Sequence, residues 1–150
     1  NADLMITGAT QGSGRLLLAV QNALTNLPGY EVVTGEYHYP NAWSPDAPHY
    51  GIKVNVAVYN GTVVSVSVVD SDYVSVTDSW ESKDIWLNGL DELLAAYKGM
   101  SVADLLGEVV TTSEGGQPEK VENADLMITG ATQGSGRLLL AVQNALEKLA

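Results

Sequence analysis

The residues with chemistry to offer stand in one run, Asp125-Leu126-Met127-Ile128-Thr129-Gly130-Ala131-Thr132-Gln133-Gly134-Ser135-Gly136, just ahead of an apolar periodic segment. Hydroxyls and flexible glycines at the mouth of a helix make an anion site, because backbone N–H groups without helical acceptors and the helix dipole both attract negative charge. A phosphate is the natural guest. The structural alternative is a plain helix start, with Ser135 as N-cap and the glycines serving the turn. The run belongs to a longer stretch, NADLMITGATQGSGRLLLAVQNAL, which occurs identically at residues 1–24 and 123–146, an offset of 123 − 1 = 122. The first copy therefore supplies Asp3, Thr7, Gly8 and Thr10 where the second has Asp125, Thr129, Gly130 and Thr132. Repetition at a fixed period is the signature of an array. It predicts that residues 1–24 are the C-terminal tail of a preceding identical repeat, and that residues 25–150 form one domain ending in the second copy. The alternative is a single domain that uses one sequence in two places. Both copies carry the glycine run, so repetition does not choose between anion site and turn.

One reading of the run fails on position. Thr7, Gly8, Gly12 and Gly14, after an apolar Leu-Met-Ile, look like the cofactor fingerprint of short-chain dehydrogenases. Such a fingerprint must open a strand–helix–strand unit. After Gly136 only 150 − 136 = 14 residues remain, and the first copy is succeeded by a hairpin pattern instead. Tyr50 and Lys53 are one residue too close to form the Tyr-x-x-x-Lys pair.

Composition narrows the function classes. Hydrophobic residues make up 45% and charged residues 17%, which describes a globular chain able to bury a core. No apolar run approaches the ~18 residues that span a bilayer. Eighteen acidic against seven basic residues give a net charge of −11, which argues against nucleic acid and anionic membranes as partners. The absence of cysteine removes disulfides and thiolate chemistry. His38 and His49 are the only imidazoles, with no carboxylate at motif spacing, so no metal site is expected. Acidity, abundant Ser, Thr, Val and Asn, and no cysteine fit an exported bacterial protein.

The elements that must position the run can be read in order. Glu31–Tyr37 reads as a strand after a Pro28-Gly29 turn, and Pro40–Pro48 as a proline-rich loop with Trp43 over the core edge. Ile52, Val54, Val56 and Val58 alternate with Lys53, Asn55 and Ala57, and Val64, Val66 and Val68 alternate with Ser65 and Ser67. A two-residue Asn60-Gly61 turn would set Val56 opposite Ser65. A three-residue Tyr59-Asn60-Gly61 loop, with Gly61 left-handed, sets Val56 against Val64 and Val54 against Val66, and is the expected connection. A short strand is expected at Tyr73–Val76. Asn88 reads as the N-cap of a helix with Leu90, Leu93, Leu94 and Tyr97 on one stripe, ended by Gly99. Ser101 and Asp104 form a capping box for a short helix, and Thr111–Pro118 reads as a loop. From Arg137 onward, Leu139, Val142, Leu146 and Leu149 define an amphipathic helix whose apolar stripe belongs against the hairpin. The fold class expected is α+β, a small antiparallel sheet packed against helices, with the last helix placed directly after the motif.

The motif in that position resembles the flavin-attachment site of the FMN-binding domain family, found in the Rnf and sodium-pumping NADH:quinone reductase complexes and in extracellular multi-flavin proteins. The family's pattern is Asp, three residues, Ser or Thr, then Gly-Ala-Thr before a closing helix; Asp125, Thr129, Gly130, Ala131 and Thr132 match it. Gly35-Glu36-Tyr37, Tyr50–Val54, Asn60-Gly61 and Val64–Val68 are similar to the family's upstream pattern, so the likeness covers residues 35–149. The resemblance implies FMN held covalently, its phosphate joined to the Thr132 hydroxyl through a phosphodiester, with Thr10 as the same acceptor in the first copy. It also implies that Asp125 and Thr129 serve the attaching enzyme or shape the turn, with the phosphate beside the amides of Gly134–Gly136, Ser135 among them, and Arg137 nearby. Tyr50, Tyr73, Trp80 and Trp86 are candidates to stack on the ring.

The role this resemblance implies is that of an extracytoplasmic electron-transfer domain in a tandem array, matured by a flavin transferase and exchanging electrons with neighbouring repeats and redox proteins. No nucleophile–base pair is visible, which favours a carrier over an enzyme. Two other classes compete: a module feeding a larger reductase, and a non-redox cell-surface repeat that keeps the fold without the cofactor.

Overall fold

The structure is a computed structural model that describes residues 10–39, 50–71 and 83–149. The chain runs α1 (Thr10–Thr25), β1 (Tyr30–Tyr39), β2 (Tyr50–Tyr59), β3 (Thr62–Ser71), α2 (Lys83–Ala96), α3 (Val102–Gly107), β4 (Val110–Thr112), β5 (Pro118–Val121), a 3-10 turn (Ala124–Leu126) and α4 (Thr132–Leu146). This is the expected α+β class. The three long strands form one antiparallel sheet in the order β1-β2-β3, and β4 and β5 form a separate hairpin. The proline-rich segment with Trp43 and the strand expected at Tyr73–Val76 lie outside the described residues.

The valine alternation does build the buried face: Ile52, Val54, Val56 and Val58 are all core residues. The turn differs from expectation. Tyr59 pairs with Thr62 across a two-residue Asn60-Gly61 turn, with φ of 48° and 76° at its two residues. That geometry matches the right-handed twist of the strands, which a three-residue loop would have to match with a bulge of its own. Parity is restored further along: a register shift between Ala57 and Val58 sets Val56 opposite Val66 and Val54 opposite Val68. Val63 thereby joins Val66 in the core, and Val64 is the extra residue of the bulge. A second shift between Lys53 and Val54 leaves Val69 exposed.

Helix α2 begins at Lys83, so Asn88 lies inside it and is no cap; Trp86 and Leu93 are its buried residues, and Tyr97, just past its end, is buried too. Gly99 adopts φ 88° and its N–H donates to Val63 O (2.9 Å), while Val63 N–H donates to Met100 O (2.9 Å). The α2–α3 connection thus covers the β3 edge, which would otherwise present bare backbone groups. Ser101 caps α3 as expected, its hydroxyl accepting from Asp104 N–H at 3.0 Å. The segment expected as a loop at Thr111–Pro118 is largely the tip of the β4–β5 hairpin, tied to β1 by the Tyr37 hydroxyl donating to Gly116 O (2.8 Å).

α4 closes the domain. It lies over β1 and β2 and against β5, with Leu138, Leu139, Ala141, Val142, Ala145 and Leu146 buried. Gly35 makes this approach possible, because a Cβ there would fall inside the backbone of Ala141 and Ala145. At its far end Gln143 Nε2 donates to Leu105 O (2.9 Å) and Glu108 O (2.8 Å), satisfying carbonyls at the end of α3.

Candidate functional site

α4 starts at Thr132, five residues earlier than the apolar periodicity alone would place it. Leading into it, Ala131 N–H donates to Ile128 O (2.9 Å), closing a turn whose third residue, Gly130, has φ 86°. A turn of this kind demands a left-handed residue at that place, which explains the glycine ahead of Ala131-Thr132. Thr129, the turn's second residue, is exposed. Asp125, also exposed, belongs to the 3-10 turn and is fixed by its N–H donating to Asn123 Oδ1 (3.1 Å).

Ser135 is not the N-cap. It lies wholly buried inside the helix, where its hydroxyl donates to Ala131 O (2.9 Å) and accepts from Ile128 N–H (2.9 Å), pinning the turn to the helix. The cap position is Ala131, with no side-chain cap hydrogen bond. Ser135 N–H bonds Ala131 O (3.0 Å), so in the first turn only the amides of Thr132, Gln133 and Gly134 lack helical acceptors. The expected cradle at Gly134–Gly136 therefore moves back by two residues. Gly134 and Gly136 are spent on packing instead: a Cβ on Gly134 would meet Trp86 Cε3 at 2.6 Å, and one on Gly136 would meet Pro118 Cβ at 2.5 Å. Arg137 is also buried; its guanidinium stands 5.4 Å from the centroid of the Tyr39 ring and its Nε donates to Gln133 O (3.3 Å).

The Thr132 hydroxyl is half-buried at the helix mouth, directed at Met127 Sδ (3.8 Å), a weak acceptor. Met127 lines a cavity of about 520 Å³ between α2 and the segment 124–129, bounded also by Glu92, Leu93, Asp125, Ile128 and Thr129. That volume falls within the range that takes drug-sized ligands and cofactors. Its wall is apolar at Leu93, Met127 and Ile128, and its charged members are the carboxylates Glu92 and Asp125. The structure so brings together Asp125, Thr129 and, through Met127, Thr132. Trp86 is a core residue against Gly134 and does not face solvent. Asp3, Thr7 and Gly8, and the stacking candidates Tyr73 and Trp80, lie outside the described residues, as do the side chains of Thr10 and Tyr50.

Sequence reasoning missed Glu92, Leu93 and Met127 as cavity walls; nothing in their spacing relative to the motif foretells that α2 stands opposite it. Among the described residues no group of three or more His, Cys, Asp or Glu could hold a metal ion, and no helix is long and apolar enough to cross a membrane. Comparison with known protein families, characterised proteins and solved structures finds no match.

Proposed function

We propose that this chain is an electron-carrier domain that holds FMN covalently through Thr132, working outside the cytoplasm within an array of like repeats. The observation that supports it best is a pairing: a half-buried threonine hydroxyl at an uncapped helix mouth, next to a cavity of about 520 Å³ bounded by Asp125 and Thr129. The residues present fit such a group in two parts. Thr132, Gln133 and Gly134 offer amides to a phosphate, and the apolar wall of Leu93, Met127 and Ile128 suits a flat ring system. Bound flavin supplies reversible electron uptake and release. The chain's own part is to anchor, to exclude water from one face of the ring, and to set its surroundings. Glu92 and Asp125 place negative charge near it, which disfavours adding electrons and lowers the potential.

The test is the intact mass of protein co-produced with a flavin transferase, wild type against Thr132→Ala. A flavin-sized increment that disappears in the variant supports the reading; no increment, or one that persists, refutes it. A second reading has its own observation: Gly134, Ser135 and Gly136 are fully accounted for by packing and turn geometry, as in a repeat that keeps the fold for structural ends. A colourless product in the presence of the transferase favours it.

A further inference from the structure

The same sequence occupies two unlike environments. In α4 the shared face is sealed: Leu138 and Val142 have no exposed surface. Their counterparts in α1, Leu16 and Val20, are 63% and 47% exposed. Ala19 and Ala23 are exposed where Ala141 and Ala145 are buried against Gly35. A helix with that much apolar surface in water has a seat elsewhere, and α4 displays the seat. The seat is also within reach. α4 runs antiparallel to β1, with Gln133 Oε1 accepting from the Tyr39 hydroxyl (3.0 Å) at one end. At the other, Asn144 Oδ1 accepts from Glu36 N–H (3.1 Å) and Lys148 Nζ donates to Thr34 O (2.8 Å). α1 in the same pose would end above Thr34–Glu36 and must then rejoin β1 at Tyr30. The strand covers Thr34 to Tyr30 in about 13 Å. The chain from Leu24 to Tyr30 reaches about 20 Å when extended, which leaves room for the climb off the sheet.

We infer that α1 is a second closing helix, able to take the place of α4 on this chain's own sheet, with α4 released when α1 is seated. The seat cannot distinguish the two by sequence, because residues 10–24 and 132–146 are the same. α4 is favoured by a contact beyond the identity, the Lys148 bond to Thr34, where the first copy has Asn26 at the same offset. Exchange carries Thr10 to the position Thr132 now holds. The inference stands on packing alone and is independent of any flavin.

The experiment is a mutant cycle in the full chain, read by urea unfolding and by molar mass in solution. Ala141→Asp puts a carboxylate into the seat from α4, and Ala19→Asp does so from α1. The expected result is a cooperative, monomeric fold for each single variant and loss of the cooperative transition only in the double variant. The inference is overturned if Ala141→Asp alone is as unfolded as the double, or if rescue appears only as a dimer, which would put the seat on a second molecule. The milder cycle of Val142→Ala and Val20→Ala keeps the fold and reads the same coupling. The double change should lower the midpoint by more than the two single changes added together; additive midpoints overturn the exchange.

Discussion

Gly134 and Gly12 stand in the same sequence, yet alanine should destabilise the fold at Gly134 and not at Gly12. Alanine in place of a helical glycine gains about 1 kcal/mol from reduced chain entropy. At Gly12 the new methyl meets nothing within 4 Å, so that gain is kept. At Gly134 the methyl would stand 2.6, 2.9 and 3.1 Å from Trp86 Cε3, Cζ3 and Cδ2. Carbon contacts are comfortable at roughly 3.5–4.0 Å, so the ring must retreat by about 1 Å. Trp86 is only 2% exposed and belongs to the core cluster, so its retreat must displace neighbours. Such overpacking costs about 2–3 kcal/mol, a net loss of roughly 1–2 kcal/mol after the propensity gain. With a urea slope of about 1–3 kcal/mol per molar, the midpoint should fall by about 0.3–2 M. The measurement belongs in an Ala19→Asp background, where α1 cannot replace a weakened α4. Gly12→Ala in that background should leave the midpoint unchanged and slow hydrogen exchange in α1 alone. A Gly134→Ala midpoint at or above the parent, or an equal fall for Gly12→Ala, would refute the packing role assigned to the second-copy glycines.

Gly35→Ala should be the costlier change, about 3 kcal/mol, because the intruding methyl meets helix backbone that cannot rotate away; and since Gly35 belongs to the seat, α1 cannot rescue it, as thermal unfolding will report. Tyr97 is buried, with a hydroxyl that has no hydrogen-bond partner among the described residues. Burial, and then the charge of Glu108, raise its pKa above the ordinary 10.0. The folded state therefore holds the proton after the unfolded chain has lost it, so this contribution is intact below about pH 10 and declines above it by up to about 1.4 kcal/mol per pH unit. Tyr97→Phe should flatten the alkaline limb of a stability–pH profile and leave neutral stability equal or higher, since no bond is lost; a loss of more than about 1 kcal/mol near neutral pH would mean the hydroxyl has a partner after all. On the proposed flavin reading, Glu92→Gln should raise the reduction potential by removing one carboxylate from the cavity wall, measured by redox titration; an unchanged potential would place the ring elsewhere.

Chemistry is legible in the sequence where it is local. The Ser101 cap, the left-handed Gly61 and Gly99, and the buried alternation of Ile52–Val58 all depend on neighbours within a few positions. The hairpin turn departs from expectation because parity, read from sequence, has to be settled at the turn itself. The strands settle it two pairs further on, at a bulge whose benefit is the seating of Val63 and Val66 against helices far away in sequence. The same limit applies to the site: Thr132 and its turn can be named from the motif, whereas the cavity beside it exists because α2 crosses the segment 124–129.

The repeated stretch separates the two contributions within one molecule. Its sequence determines that both copies are helical from the threonine onward, with one apolar face and the same glycines. It does not determine what that face touches. Gly136 and Gly14, Arg137 and Arg15, Leu138 and Leu16 are pairs of identical residues, the first of each sealed in the core and the second open to water. Hydrogen bonds along a helix are made within the segment itself, so sequence alone sets them. Burial needs a partner surface, and among the described residues Gly35 and the valines of β2 form a single seat for two claimants of the same sequence.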